Sequence, residues 1–440
     1  MFNKKDLTRL LAPLIVEQIL SVLVGMADVI MVAAVGEAAV SGVSLVDSIS
    51  ILILQILAAL ATGGAVISAQ YLGKKQSENA CKAAGQLIGV TTILSLAVSM
   101  IALIGNRLLL ASIFGNVETQ VMNDAVIYFR ITALSYPFMA IYNSCAALFR
   151  SMGNSKVSMV VSLVMNTINI AGNAVCVFGL HMGVAGVAFP TLASRIVAAV
   201  MMFYLIQNPD NTVRIKRLDE LKPDIHMIKN ILSVGIPNGL ENGMFQFGKI
   251  ALQSLVSSLG TAAIASYAVA SNLVTLLYLP GNAIGLGLIT IVGQCVGAGE
   301  RKQAKQYTRR LVVVNYGILV VLCGIMILFS NQLVSIYKLS AEAAKISVQM
   351  IEAHSYAMIV WPIAFTVPYS LRASMDSKFT MAVSVFSMWL FRIASAYFFV
   401  QVMNMGVMGI WYGMFIDWFF RAVVFALRFR GIEKRAVSVS

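Results

Sequence analysis

The sequence predicts an all-α polytopic membrane protein, with twelve transmembrane helices in two six-helix lobes related by a parallel internal repeat. Three observations predict it. Of the 440 residues, 59% are hydrophobic and only 12% charged, and the apolar residues gather in runs of about twenty or more, long enough to cross a bilayer as helix. Those runs, "LIVEQILSVLVGM" among them, do not alternate as transmembrane strands would. The second half of the chain also repeats the first.

The expected spans lie at about 10–33, 44–70, 84–105, 124–148, 157–178, 184–207, 229–258, 262–295, 311–330, 346–370, 379–400 and 405–428. The first follows a basic head, "MFNKKDLTRLL", with no small-residue cleavage site at signal-peptide distance, so it reads as a retained helix. It carries two acids, Glu17 and Asp28. The fifth holds "MNTINIAGN", an amide row at Asn166, Asn169 and Asn173. The polar stretch "QNPDNTVRIKRLDELKPD" opens a cytoplasmic linker, 207–228, between an N-terminal lobe, 1–206, and a C-terminal lobe, 229–440. The seventh span brings Pro237, Glu241 and Lys249, and the eighth brings Pro280 and the close-packing glycines of "GNAIGLG". Pro362 and Pro368 interrupt the tenth, and these four prolines, Pro237, Pro280, Pro362 and Pro368, each remove a helix hydrogen bond and allow a bend. The last span carries Asp417 and Arg421, placed i, i+4 to neutralise each other.

With the N-terminus inside, 24 of the 32 Lys and Arg fall on cytoplasmic segments, three outside (Arg107, Lys338, Lys345) and five within spans (Arg130, Arg195, Lys249, Arg392, Arg421). The net charge of +13 is therefore the positive-inside signal of a multi-pass protein of the cytoplasmic membrane with both termini cytoplasmic. It gives no ground for nucleic-acid binding. Five scattered cysteines, without CxxC spacing, and three distant histidines suggest neither disulfides nor a resident metal or other cofactor.

A shift of 224 residues lays Pro13 on Pro237, Glu17 on Glu241, Gly36 on Gly260, Gly63 on Gly287, Gln70 on Gln294 and Gly73 on Gly297. After small gaps, Pro137 meets Pro362 and "RSMGNSK" at Arg150 meets "RASMDSK" at Arg372. Because each half holds an even number of spans, both enter from the cytoplasm and the repeat is parallel. Paired lobes suit alternating access, and without a GxxxxGK[ST] loop the work falls to an ion gradient or a partner subunit. The sequence points to no obligate protein partner; its partners are small molecules and the bilayer.

An ionised carboxylate inside a bilayer costs roughly 2.5–3.5 kcal/mol on insertion scales, so Asp28 must face protein or water. Glu17 and Asp28 stand close to three turns apart on one face of the first helix, and the amide row of the fifth also shares one face. Amide oxygens beside a carboxylate suit a dehydrating small cation, and equally a protonated Asp. Asp28, Asn169 and Asn173 are thus the expected coupling site for Na+ or H+. The bland alternative is that the asparagines tie helices together for about a kcal/mol each. Glu17, Asn166, Glu241 and Lys249 are lesser cavity candidates, with Lys249 a prospective salt-bridge partner for Glu241. Asp47, near an outer helix end, reads as solvated.

The quoted order of motifs, "GMADVIMVAAVG", "AQYLGKKQSENA" mirrored by "GQCVGAGERKQA", "LFRSMGNSK" and "MGVAGVAFPTLASR", resembles the multidrug and toxic compound extrusion (MATE) family over nearly the whole chain. The resemblance implies a two-lobe exporter of organic cations and amphipathic drugs, by antiport with Na+ or H+. It aligns the family's first-span Asp with Asp28, its fifth-span polar pair with Asn169 and Asn173, and a sixth-span polar position with Thr191. The mid-helix acids of the NorM branch fall here on Phe245 and Trp361, which leaves coupling to Asp28. A lipid-linked saccharide flippase of the same superfamily is the rival reading; its pyrophosphate cargo calls for a more cationic cavity, whereas Glu17, Asp28 and Glu241 balance the cations here. An intramembrane enzyme would need a catalytic dyad or clustered metal ligands, and neither is evident.

Overall fold

A computed structural model describes residues 1–115, 117–215 and 222–435. Within these, the chain is helical from end to end. Asn3 starts the first helix with a reciprocal capping box: its Oδ1 accepts from the Asp6 backbone N–H at 2.8 Å, and Asp6 Oδ2 accepts from the Asn3 N–H at 3.0 Å. The N-terminal half then runs α1 (Lys4–Ala33), α2 (Glu37–Gly73), α3 (Ser77–Phe114), α4 (Thr119–Leu134), α5 (Tyr136–Ser151), α6 (Ser155–Ala174) and α7 (Ala185–Ile206). A π-helical turn, Val175–Gly179, extends α6.

The second half runs α8 (Ile225–Ser257), α9 (Thr261–Gly297), α10 (Arg301–Leu328), the short α11 (Ser330–Ser335), α12 (Ala341–Ala357), α13 (Val367–Ala373), α14 (Ser377–Ser387), α15 (Ser395–Gln401), α16 (Gly406–Arg430) and α17 (Ile432–Arg435). π-helical turns at Pro362–Thr366 and Met388–Ala394 lead into α13 and join α14 to α15.

Nine helical stretches among the described residues are long and apolar enough to cross a membrane. Two bent pairs supply two more spans: α4 with α5 at 44°, and α12 with Pro362–Ala373 at 68°. The bends fall beside Pro137 and Pro362, the prolines that the internal repeat superposes, where the missing N–H loosens the helix. Pro237 and Pro280, by contrast, stay inside continuous helices. The twelfth expected span is α8; its 33 residues make a rod of about 50 Å, its apolar run interrupted by Asn238, Glu241, Asn242 and Lys249. The repeat is also written in the connections. Gly36 (φ 141°) caps α2 and Gly260 (φ 91°) caps α9, both in backbone that a side chain would strain.

Long apolar side chains such as Ile104, Leu108, Val320 and Leu328 lie open on the outside, as a lipid-facing surface requires. Small residues let the helices touch. A Cβ on Gly63 would come 2.4 Å from the Ile231 carbonyl oxygen, and one on Gly42 2.9 Å from the Ala125 amide, so α2 meets α8 and α4 backbone to backbone.

The chain divides into two compact units inside α8, one running Phe2–Gly239 and the other from Leu240 onward. The boundary anticipated from the polar linker, at 229, falls before this division, because the first half of α8 packs on α2 through Gly63 and Gly235. Of the anticipated linker, 207–228, residues 216–221 lie outside those described. The N-terminal unit has its core around Val46, Tyr128, Phe129, Tyr136 and Val187. The C-terminal unit has its own, around Leu277, Met350, Trp361, Trp411 and Trp418.

Candidate functional site

In the N-terminal unit α1 packs along α6, and Glu17 and Asp28 of α1 turn toward it. Asp28 Oδ1 accepts a hydrogen bond from Asn173 Nδ2 at 2.9 Å. The same Nδ2 lies 3.4 Å from Asn169 Oδ1, and Asn169 Nδ2 donates to Thr191 Oγ1 at 3.0 Å. The relay ends where Thr191 donates to the Val187 carbonyl, 2.9 Å away. Helical spacing explains the order: Asn169 and Asn173 stand one turn apart on α6, and α7 brings Thr191 alongside. Asn173 Oδ1 is buried and has no hydrogen-bond partner. A buried acceptor left unmade costs about 1–3 kcal/mol, and here it lies on the residue that holds a carboxylate.

This cluster edges a cavity of about 510 Å³ lined by Asp28, Asp47, Tyr128, Asn166, Asn169, Thr191 and Arg195 among others. Asp47 joins it by accepting from the Tyr128 hydroxyl at 3.2 Å. Arg195 Nη1 donates to Ser135 Oγ at 2.7 Å, and its charge acts on both Asp28 and Asp47. The expectation that Asp47 is merely solvated near a helix end is thereby corrected. The signals were present in the sequence. Asp28 and Asp47 sit at similar depth on either side of the Gly36 turn, and Arg195 follows Thr191 by one turn.

The remaining candidates separate. Asn166 lines the cavity, its Nδ2 3.5 Å from Ser162 Oγ. Glu17 does not line it: its Oε2 accepts from Ser158 Oγ at 3.1 Å, nearer the start of α6. Glu241 is bound to Arg372 at 2.8 Å with both side chains nearly buried, so the partner expected for it, Lys249, is not its partner. Two turns separate Glu241 from Lys249 on α8, whereas Arg372 on α13 approaches Glu241 directly and lies over the Tyr369 ring, 5.1 Å from its centroid.

Lys249 belongs to a second cavity, of about 410 Å³, in the C-terminal unit. Aromatic rings build its walls: Phe245, Tyr267, Tyr278, Trp361, Phe365, Trp411 and Trp418. Trp361 stacks between Tyr278 and Phe365, with centroids 5.5 and 5.2 Å away. It can do so because Gly281 leaves it room; a Cβ there would be 2.0 Å from Trp361 Cζ3. The charged lining residues are Lys249 and Arg392, and no carboxylate lines the cavity. Behind Arg392 lies Asp417, fully buried, 2.7 Å from Arg421 Nε, accepting from Ser387 Oγ, and 3.8 Å from Arg392 Nη1. The i, i+4 pairing of Asp417 with Arg421 is as the spacing implied, with Arg392 added to it. The charge balance expected from Glu17, Asp28 and Glu241 does not extend to this cavity. Glu241 is taken by Arg372, and the other two acids lie in the N-terminal unit.

The internal repeat makes the contrast between the two cavities pointed. Asp28 superposes on Leu252, Asn169 on Phe391, Thr191 on Met414 and Arg195 on Trp418. These four positions have become apolar or aromatic in the second half, whereas Asn173 falls on Ser395 and Asp47 on Ser271.

The MatE family profile matches residues 13–175 and 237–398, one block in each half. The chain belongs to the MatE family. Among its relatives are the uncharacterized transporter YisQ of Bacillus subtilis, 27% identical over 95% of this chain and 92% of that one, and the probable multidrug resistance protein NorM of Thermotoga maritima, 27% identical over 99% and 94%. A solved structure described as the outward-facing conformation of a multidrug resistance MATE family transporter of the MOP superfamily shares the fold. It has a TM-score of 0.92 over 98% of this chain and 97% of that one, at 20% identity. Among the described residues of this MatE chain, no three His, Cys, Asp or Glu gather as metal ligands. What the Asp28 cluster offers instead is one carboxylate and neutral oxygens, a donor set suited to a hard monovalent cation or to a proton.

Proposed function

We propose that this chain is a secondary active efflux transporter of the cytoplasmic membrane, exporting amphipathic organic drugs by antiport with Na+ or H+. One observation carries the reading. Asp28 is held by Asn173 at the edge of a cavity, while Asn173 Oδ1 stays buried and unpaired. Such an arrangement is costly inside a membrane unless something visits it. A sodium ion would take its charge balance from Asp28 and its remaining oxygens from Asn173, Asn169 and Thr191; a proton would sit on Asp28 itself. Binding would offset the cost of the orphan oxygen and exchange the Asn173 hydrogen bond for ion contacts. That gives the N-terminal unit two arrangements for a gradient to bias. The names of the relatives, multidrug resistance proteins among them, support an organic cargo. The positive-inside distribution supports cytoplasmic termini.

The experiment is transport into liposomes containing the purified protein, with a sodium gradient and a pH gradient imposed separately and a fluorescent organic cation as the first probe. Wild type is expected to move the probe under one gradient, and Asp28→Asn under neither. Unchanged gradient-driven transport by a folded Asp28→Asn would remove the Asp28 cluster from the mechanism.

A further inference from the structure

We infer that the cavity of the C-terminal unit is a binding site for an aromatic molecule carrying a negative charge, such as an aromatic carboxylate, with Lys249 and Arg392 receiving the anionic group and the aromatic walls receiving the ring. The inference adds an anionic aromatic ligand to the organic cation that probes the transport reading above; it rests on that reading for its biological sense, though not for its test.

The first support is the charge ledger. Lys249, Arg392 and Arg421 converge on one ring, Phe245, at 5.2, 5.2 and 5.9 Å from its centroid. Asp417 is the acid paired with the two arginines, and its closer contact is with Arg421, 2.7 Å against 3.8 Å for Arg392. Lys249 has no carboxylate partner among the described residues. Three cations around one ring and one acid leave an uncompensated positive field, and its two guanidinium groups, on Arg392 and Arg421, are buried, where charge is screened least. A cation–π contact offsets only part of that. An anion entering the cavity would complete the ledger.

The second support is independent of charge. Arg392 Nε is buried and has no hydrogen-bond acceptor, and the indole N–H of Trp418, another lining residue, is in the same condition. Both are buried donors without acceptors, on side chains that line the cavity. An acid group supplies acceptor oxygens, whereas an organic ammonium would supply only more donors. The third support is shape. The stacked series Tyr278, Trp361 and Phe365, with Trp418 edge-on to Phe365 and Trp411 edge-on to Tyr267, lines the cavity with aromatic surface, and the volume of about 410 Å³ admits a fused bicyclic ring.

The test is equilibrium binding by calorimetry to the full-length protein in nanodiscs of zwitterionic lipid, with three probes of one shape: 2-naphthoate, the neutral 2-naphthamide and 2-naphthylmethylammonium. The acid is expected to bind at least about tenfold more tightly than the ammonium, the scale of one charge-assisted hydrogen bond. Lys249→Gln, at an exposed position where folding is not at stake, should weaken the acid by about tenfold and leave the amide unchanged; Lys249→Glu should reverse the preference between acid and ammonium. Tighter binding of the ammonium by wild type, or an acid affinity untouched in Lys249→Gln, would overturn the inference. So would inorganic pyrophosphate binding as tightly as the naphthoate, since the ring would then contribute nothing. No gradient enters this assay, so its failure is distinguishable from failure of the Asp28 reading, which is scored by gradient-driven transport alone.

Discussion

Asp417→Asn separates a structural charge cluster from a decorative one. Asp417 has no exposed surface; it is paired with Arg421 at 2.7 Å and faces Arg392 at 3.8 Å, and those arginines are only 2% and 7% exposed. The amide keeps the size and can still accept from Ser387, so the perturbation is almost purely the loss of one negative charge. Two buried guanidinium groups are left facing each other's field. Removing one partner of a buried pair costs about 3–5 kcal/mol, because the remaining charge has been taken from water without compensation. For a unit of about two hundred residues, 4 kcal/mol corresponds to a fall of roughly 10 °C in melting midpoint, at about 2–4 °C per kcal/mol. The assay is thermal unfolding of the detergent-solubilised protein followed by tryptophan fluorescence, with Trp411 and Trp418 reporting from the same core. Adding Arg421→Met to Asp417→Asn should recover much of the loss, since it removes one of the stranded charges. A single-variant midpoint within about 2 °C of wild type, or no recovery in the double variant, would refute the reasoning that these three residues are held together by charge.

Two further outcomes follow from the two cavities. Asn173→Ala removes the donor that holds Asp28 and should raise the coupling-ion concentration for half-maximal transport by about ten- to a hundredfold; if the amide only ties helices together, stability falls by about 1 kcal/mol and that concentration does not move. Gly281→Ala pushes a methyl group into the Trp361 ring and should cost about 1–3 kcal/mol by overpacking, seen as a lower melting midpoint and weakened naphthoate binding, while ion-dependent behaviour governed by Asp28 is preserved.

How far the sequence reached depends on whether a feature lies along one helix or between helices. Hydropathy, charge asymmetry and the 224-residue repeat are properties of segments, and a bilayer enforces them locally because every backbone polar group must be satisfied within its own helix. The helical architecture and the bend at Pro362 were therefore legible, while the bends also expected at Pro237 and Pro280 did not break their helices and the one beside Pro137 was not foreseen. The Asn169–Asn173 face was legible too, since residues one turn apart must share a side. The meeting of Asp28 with Asn173, 145 positions away, was anticipated from the family resemblance and the chemistry of buried carboxylates. Spacing alone did not supply it.

Only the tertiary structure decided which polar group each helix presents to which neighbour. Glu241 has Lys249 two turns away on its own helix, yet it is Arg372, 131 residues on, that reaches it. Asp47 enters the Asp28 cavity, and Lys249 and Arg392 are left together in an aromatic pocket without an acid. The physical reason is the rotation of each helix about its own axis. Close glycine contacts such as Gly63 against Ile231 and Gly281 against Trp361 fix that rotation through packing, and a turn of a few tens of degrees exchanges one buried partner for another. Burial in a membrane demands that a charge find company or a cavity; packing between helices far apart in the chain selects which.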